Sequence, residues 1–229
     1  MKKEFLRGVK DALPIVLGYL PLGTAFGVLA GNYGLSFGQV AALSFFLYSG
    51  SGQFVAIGLL KAGLSPPAII ASIFLVNLRY LLLSASIAPF FRKFSSRFLA
   101  IAAHGITDET YAVALGSFRK SKARPSYIAG LFITAYLSWI SGSILGVAVG
   151  SLAGDTARFG VDFALTAMFI SLLVMQLKDR PTLAVAIMAG ILSIIIREFS
   201  QSGWNVVVST VTAATLGVIH SRWITKFSS

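Results

Sequence analysis

The chain has 229 residues, of which 56% are hydrophobic and only 12% are charged. A soluble domain usually carries about 25% charged residues, so this composition is typical of an integral membrane protein. The net charge of +11 does not indicate nucleic-acid binding, because the basic residues form short clusters between apolar runs, as in the cytoplasmic loops of membrane proteins. No cysteine is present, which excludes disulfides, iron–sulfur clusters and thiolate metal sites.

Apolar runs of roughly 20 residues, the length that spans a membrane as a helix, recur along the whole chain. The runs are continuous rather than alternating, which favours helices over a transmembrane β-barrel. We therefore predict an all-α, polytopic integral membrane protein with about seven or eight membrane helices. One or more of them is broken or re-entrant, and residues 1–229 form a single transporter domain. The predicted helices are 12–31, 38–61, 66–91, 97–118, 126–152, 161–178, 181–197 and 204–221.

Basic residues predict that both termini lie in the cytoplasm, together with the connection at 119–124. A model with eight crossings satisfies this rule except at Arg92, Lys93 and Arg97, which it places outside. In the alternative, 97–118 dips into the membrane and returns to the same side, and one of the first three segments is also broken or re-entrant. The sequence leaves both topologies open.

The stretch FFLYSGSGQFVAIGLL, residues 45–60, carries small and polar residues in the middle of the second predicted helix. Two glycines weaken a helix and expose its backbone, and broken membrane helices bind ions and zwitterions through their free N–H and C=O groups. Close packing of helices through small residues is the alternative. The predicted interruption comprises Ser49, Gly50, Ser51, Gly52 and Gln53.

Arg79 lies deep in the third apolar run, within FLVNLRYLLL at 74–83. A charge at the centre of a bilayer costs about 2.5–3.5 kcal/mol on insertion scales, so such a residue normally faces the interior with a partner. Asn77 and Tyr80 are the nearest polar neighbours. The alternative is an arginine that snorkels to the membrane surface.

Two adjacent acids follow a histidine in HGITDETYAV, residues 104–113. On a continuous helix His104, Asp108 and Tyr111 share one face. Asp108 and Glu109 do not both ionise in a low dielectric without cations, so we expect one to hold a proton while the other pairs with Arg79. The alternative is a surface loop in which both acids are solvated.

Three functional classes fit these features. Transport driven by an ion gradient is favoured, because intramembrane carboxylates serve proton-coupled transport and no nucleotide-binding G-x-x-x-x-G-K-[ST] stretch is present. An intramembrane serine hydrolase that uses Ser51 and His104 is the enzyme alternative, and a non-catalytic channel subunit is the third. We predict no enzyme activity, no cofactor and no metal site.

Four stretches, DALPIVLGYLPLGTAFG, YSGSGQFV, NLRYLL and HGITDETYAVA, occur in this order, and DFALTAMFISLL follows at 162–173. Together they resemble the AzlC family of branched-chain amino acid permeases, to which the YgaZ-type exporters belong. The resemblance implies export of valine, leucine and isoleucine across the bacterial cytoplasmic membrane. It also implies a small second membrane subunit of the AzlD type as partner.

A branched-chain amino acid offers a carboxylate, an ammonium and an apolar side chain. We predict that the interruption at 49–53 binds the carboxylate with free N–H groups, with Phe54 and Asn77 as further substrate-binding residues. Proton coupling is predicted for Asp108, Glu109, His104 and Arg79. The expected partners are thus the amino acid, the lipid bilayer and the small subunit, and not nucleic acid.

Overall fold

A computed structural model describes residues 1–152, 170, 173, 174, 177, 180–199 and 208–217. Within these residues every regular element is an α-helix and none is a strand, which confirms the all-α class. The helices are α1 Lys2–Asn32, α2 Phe37–Phe46, α3 Gly50–Lys61, α4 Pro66–Asn77, α5 Arg79–Phe91, α6 Ser96–His104, α7 Asp108–Phe118, α8 Pro125–Leu152, α9 Arg180–Phe199 and α10 Val208–Gly217.

In the part of the chain that the structure describes, three spans are long and apolar enough to cross a membrane: Lys2–Asn32, Pro66–Phe91 and Pro125–Gly150. The predicted count of seven or eight membrane helices is therefore not confirmed. Three of the predicted helices, 38–61, 66–91 and 97–118, are each divided into a pair of shorter ones. The helix predicted at 161–178 lies for the most part outside the described residues, and the one at 204–221 is described only over α10.

The chain divides into two compact units. The first comprises Met1–Ile57 and Val76–Asp162, and the second comprises Gly58–Leu75 and Phe163–Ser229. In the second unit α9 and α10 pack closely, because Gly217 lies directly against the side chain of Val185. That residues 1–229 act as one transporter domain stays a prediction. All the predicted site residues belong to the first unit.

Glycines bring α1 and α8 into backbone contact along most of their length. A Cβ added to Gly23 would lie 2.9 Å from the carbonyl oxygen of Trp139, which only a glycine permits. The contacts advance together along both helices, from Gly8 against Tyr127 to Gly27 against Val147. The two helices are therefore parallel, and their small residues allow the close approach that helices use inside membranes.

The helix predicted over 38–61 is interrupted at residues 47–49, and α2 and α3 form what we call the first hairpin. Its two arms meet next to the break, where Gln53 Nε2 donates to the carbonyl oxygen of Leu43 at 3.2 Å. The predicted interruption at 49–53 is thus corrected, because the helix resumes at Gly50. Ser49 Oγ accepts the N–H of Gly52 at 3.1 Å and so starts α3 as an N-cap.

The helix predicted over 97–118 is also wrong as a continuous helix, because Gly105, Ile106 and Thr107 separate α6 from α7. Thr107 and Thr110 form a reciprocal capping box that starts a new helix. We call α6 and α7 the second hairpin. Its tip, at Gly105, lies against the side chain of Phe132.

The two ends of the second hairpin lie near the start of α8. The ring of Phe118, at the end of α7, is 6.2 Å from the ring of Tyr127 and 5.8 Å from that of Phe91, at the end of α5. Phe91 packs in turn on Phe94, just before α6. Because both ends lie at one level and the tip lies further along α8, the chain reverses at Gly105.

The hairpins approach α1 from its opposite ends. Arg7 bonds Ser117, at the end of α7, and Tyr19 bonds Thr107 at the tip. These contacts are 12 residues apart on α1, or about 18 Å at 1.5 Å per residue. The first hairpin approaches from the other side, with Phe54 packed on Phe26. The tips meet where the rings of Tyr48 and His104 are 5.8 Å apart.

Candidate functional site

Arg79 joins the two hairpin tips. Its Nη2 donates to Ser51 Oγ in the first hairpin at 2.6 Å, and its Nη1 is 3.0 Å from Asp108 Oδ2 in the second. The expected ion pair of Arg79 with one of the two acids is therefore present. The Arg79 side chain is only 23% exposed, and its Nε has no hydrogen-bond partner among the described residues. Removing Arg79 would leave Asp108 without its counter-charge at the junction of the tips.

Ser49 and Asn77 form a small polar cluster behind the tip of the first hairpin. Ser49 Oγ donates to Asn77 Oδ1 at 2.7 Å and accepts from the Tyr80 hydroxyl at 3.2 Å. Gly52 packs so tightly here that a Cβ would lie 2.8 Å from Ser49 Oγ. The glycine thus keeps the start of α3 close to the Asn77 side chain.

Gln53 is fully buried, and its amide is occupied on both sides. Its Nε2 donates to the Leu47 carbonyl at 2.6 Å, and its Oε1 accepts from Trp139 Nε1 at 3.0 Å. The neighbouring Phe54 is also buried and packs edge-on against Phe26 at 5.6 Å. These two predicted substrate-binding side chains therefore hold the first hairpin against α1 and α8.

Asp108 and Glu109 are the first two residues of α7, where carboxylates stabilise the positive end of the helix dipole. Glu109 Oε2 accepts from the Tyr19 hydroxyl at 2.6 Å, and Thr107 lies 2.7 Å from the same hydroxyl. The Asp108 side chain is 41% exposed and Glu109 is exposed. The two acids thus have separate partners and an open side.

The expectation that His104, Asp108 and Tyr111 share a helix face is wrong. The reason is the break at 105–107, which ends one helix at His104 and begins another at Asp108. His104 is exposed, and its ring lies 5.3 Å from that of Tyr136. Tyr111 instead contacts Ser86, with 2.8 Å between the hydroxyl oxygens.

The hydrolase pair proposed from the sequence has a different arrangement in the structure. Ser51 Oγ accepts a hydrogen bond from Arg79 at 2.6 Å, and Ser51 is buried. The His104 ring packs against the rings of both Tyr48 and Tyr136. An arginine does not take a proton from a serine, so this contact does not favour a nucleophile. In the described residues no group of three or more metal-ligating side chains is placed to hold an ion.

An apolar cavity of about 250 Å³ lies beside the second tip. It is bounded by α6 and α8, and Tyr136 and His104 are among the residues that line it. The aliphatic and aromatic part of its wall comprises Phe98, Ile101, Ala102, Ile128, Phe132 and Ile133. A cavity of this composition accepts an aliphatic group and leaves the polar part of a ligand near His104.

Sequence reasoning missed the aromatic residues of α8 that complete the junction. Trp139 contacts Gln53 and packs at 5.4 Å from the ring of Tyr19. Tyr136 donates to the Phe45 carbonyl at 2.7 Å and packs on Tyr48. The only signal in the sequence was the placement of polar residues around Trp139 in SWISGS, and that pattern equally fits close helix packing.

Comparison with known proteins assigns the chain to a family. The family model described as "AzlC protein" matches residues 14–153. An "Uncharacterized membrane protein" of Archaeoglobus fulgidus is 32% identical over 96% of this chain and 94% of its own. "Inner membrane protein YgaZ" of Escherichia coli is 31% identical over 79% and 76%. "Branched-chain amino acid transport protein AzlC" of Bacillus subtilis is 27% identical over 73% and 66%. No solved structure matches the chain.

Proposed function

Because this chain belongs to the AzlC family, we propose that it is a membrane transporter that exports branched-chain amino acids, driven by protons. The observation that carries the proposal is the junction at Arg79, which contacts both the buried start of a half-helix, at Ser51, and the carboxylate of Asp108. Half-helix ends near the bilayer midplane are the binding elements of many secondary transporters. The name of the Bacillus subtilis relative supports the substrate class.

The contacts of the second hairpin support the re-entrant topology. They bring the basic clusters at 92–97 and 119–124 to the same end of the first unit as the basic N-terminus. By the positive-inside rule this end is cytoplasmic. The second hairpin then dips in from the cytoplasm and the first from outside, in a multi-pass protein of the cytoplasmic membrane. The C-terminus, also predicted to be cytoplasmic, lies outside the described residues.

The substrate binds as a zwitterion between the tips. The start of α3, at Gly50 and Ser51, offers its N–H groups and positive dipole end to the carboxylate, and Arg79 adds a positive charge. Glu109 or Asp108 receives the ammonium. The branched side chain enters the apolar cavity between α6 and α8, whose wall is aliphatic and aromatic.

The two acids also carry the coupled proton. Asp108 has Arg79 as its counter-charge, while Glu109 accepts a hydrogen bond from the neutral Tyr19 hydroxyl, so the two carboxylates differ in their response to a bound ammonium. His104 lies at the same tip and is exposed. A small AzlD-type subunit is part of the proposal. Glu109 and His104 are exposed although the proposed topology places them within the membrane, which leaves room for a second chain to cover them.

An efflux assay tests this function. Cells that lack their own exporters are loaded with a leucine- or valine-containing dipeptide, and efflux is followed with and without this chain and the small subunit. We expect efflux that needs both chains and stops with a protonophore. Asp108→Asn and Glu109→Gln should each abolish it, whereas Glu198→Gln, an exposed acid on α9, should not. Full-rate efflux by both site variants would refute the role of the acids.

A variant that fills the apolar cavity tests separately whether the branched side chain of the substrate binds there. Ala129 lines the apolar cavity, and Ala129→Leu adds about three carbon atoms to it. One methylene is worth roughly tenfold or more in discrimination by an apolar pocket. We therefore expect leucine efflux to fall at least tenfold relative to alanine efflux. An unchanged ratio would place the side-chain pocket elsewhere.

A further inference from the structure

A second, polar cavity lies far from the tips, between the start of α1 and the end of α7. Its volume is about 320 Å³. The polar part of its wall is formed by Arg7, Asp11, Ser117, Lys120 and Ser121. Val113 and Gly116 continue the wall along α7 in the direction of the hairpin tip. The transport mechanism proposed above uses none of these residues.

Two charged side chains of this cavity are held in fixed positions. The Arg7 guanidinium lies 4.5 Å above the ring of Tyr127, and its Nη2 donates to Ser117 at 2.6 Å and to Ser121 at 3.1 Å. Asp11 Oδ2 accepts from the Tyr127 hydroxyl at 2.8 Å. Groups that are already oriented lose little conformational entropy when they bind a ligand.

The cavity carries charges of both signs. Arg7 and Lys120 are basic and Asp11 is acidic, and Arg7 additionally pairs with Glu4 at 3.2 Å. A purely anionic ligand would be attracted to the first two but repelled by the carboxylates. A zwitterion with a phosphate and a primary ammonium satisfies both signs, because the phosphate receives donors from Arg7 and Lys120 and the ammonium donates to Asp11.

The depth of the cavity indicates a lipid rather than a free solute. The uncharged run of the chain begins at Ala12, one residue after Asp11, so the polar wall lies where the apolar segment ends. Basic pockets between membrane helices at this level bind phospholipid head groups. Gly116 is exposed, and among the described residues no atom of another helix lies within 4 Å of the position that its Cβ would take, so an acyl chain can lie along α7 above the head group.

We propose that this cavity binds the phosphoethanolamine head group of a membrane phospholipid. The lipid would link α1 to the cytoplasmic end of the second hairpin, beside the bonds that Arg7 already makes to Ser117 and Ser121. The proposal does not depend on what the protein transports.

Native mass spectrometry of the delipidated full chain tests the proposal, with phosphatidylethanolamine, phosphatidylcholine and phosphatidylglycerol as probes. Choline has no N–H donor for Asp11, and the glycerol head group has no ammonium. Loss of one charged hydrogen bond costs roughly tenfold in affinity. We therefore expect phosphatidylethanolamine to be retained about tenfold more strongly than either of the others.

Two variants assign the effect to the cavity. Asp11→Asn should bring phosphatidylethanolamine down to the level of phosphatidylcholine, and Lys120→Gln should weaken all three phospholipids about tenfold. Lys122→Gln, an exposed lysine outside the cavity, should change nothing. Helix content and elution from a sizing column check that each variant is folded. If Asp11→Asn does not fold, Lys120→Gln alone decides the question.

Three results would overturn the proposal. Equal retention of the three phospholipids would show a non-specific lipid surface. A preference that survives Asp11→Asn and Lys120→Gln would place the lipid elsewhere. Displacement of the lipid by glycerophosphoethanolamine or by leucine at equal concentration would assign the cavity to a soluble zwitterion.

Discussion

The tip of the first hairpin and the tip of the second share a backbone plan. In each, a hydroxyl side chain caps the returning helix: Ser49 accepts from the third residue of α3, and Thr107 from the third residue of α7. After the cap the two diverge. The first continues with Gly50 and buried Ser51, and the second with the partly exposed Asp108 and the exposed Glu109.

This difference separates the two tips by charge. The dipole of α7 is compensated by its own carboxylates, whereas the start of α3 carries no acid and keeps its positive end for another anion. The same structural device therefore yields one tip suited to a carboxylate and one suited to an ammonium or a proton. Arg79, which touches both, sets the charge balance between them.

Removing the link between the tips is expected to have the largest effect. Arg79→Gln takes the donor from Ser51 and the counter-charge from Asp108, and truncating one partner of a hydrogen-bonded charge pair costs roughly 2–5 kcal/mol. Efflux should fall about a hundredfold. Arg97→Gln, an exposed arginine just inside the second hairpin, is the control and should transport normally. Wild-type efflux by Arg79→Gln would mean that the tips act independently.

The next largest effect is expected at the fourth residue after the cap, which is Gln53 in the first hairpin and Tyr111 in the second. Gln53→Leu leaves the buried indole N–H of Trp139 without its partner and removes one of two hydrogen bonds to each of the Leu43 and Leu47 carbonyls, which should lower the free energy of unfolding by about 2–3 kcal/mol. Tyr111→Phe removes only the contact with Ser86, which the structure gives as exposed, and should stay within about 0.5 kcal/mol. Unfolding in detergent measures both. Equal losses would show that the first tip is no more rigidly held than the second.

Part of the fold and of the candidate site could be predicted from the sequence, and part could not. Composition and apolar runs were sufficient for the all-α class, and the cost of an isolated charge in lipid was sufficient to expect a carboxylate partner for Arg79. The position of each break was harder, because Ser49 and Gly50 both weaken a helix and only the Ser49 cap, seen in three dimensions, starts α3 at Gly50. The partners of Gln53 could not be predicted, since Trp139 lies 86 residues away and nothing local brings them together.

The prediction that His104 shares a helix face with Asp108 and Tyr111 was wrong for a related reason. That prediction extended the helical period across Gly105–Thr107. However, Thr107 is followed three residues later by Thr110, and this spacing is compatible with an N-cap. The choice of topology needed tertiary contacts as well. Only the stacking of Phe118 on Tyr127 and Phe91 brings both ends of the second hairpin to one level.

Removing the caps tests whether the backbone plan is the same in both tips. Ser49→Ala and Thr107→Ala should each lower the free energy of unfolding by at least about 1 kcal/mol, the usual value of an N-cap, because Ser49 also bonds Asn77 and Thr107 also contacts Tyr19. Ser95→Ala removes the N-cap contact of 3.4 Å at the exposed start of α6, outside both tips, and serves as the reference for a cap with no further partner in the part of the chain that the structure describes. If one tip variant loses several times more than the other, the shared plan is only superficial.

The smallest effects are expected from single hydroxyl groups. Tyr19→Phe removes the donor to Glu109 and the contact with Thr107, and efflux should slow by roughly threefold to tenfold, as for one hydrogen bond. Tyr48→Phe should stay within about twofold of the wild type, since its hydroxyl has no hydrogen-bond partner among the described residues. The reverse order would show that the first tip, rather than the second, handles the proton.

The glycine contacts between α1 and α8 have a consequence for biosynthesis. Gly27 packs on Val147, 120 residues later in the chain, and a ribosome takes on the order of ten seconds to synthesise that length. During this interval α1 is already in the membrane with its small-residue face unpaired. Both hairpins are also synthesised before α8, the helix on which they pack. Assembly of the tips therefore waits for α8, and a nascent chain stopped before residue 125 exposes this face to whatever insertion factor or neighbouring helix is at hand.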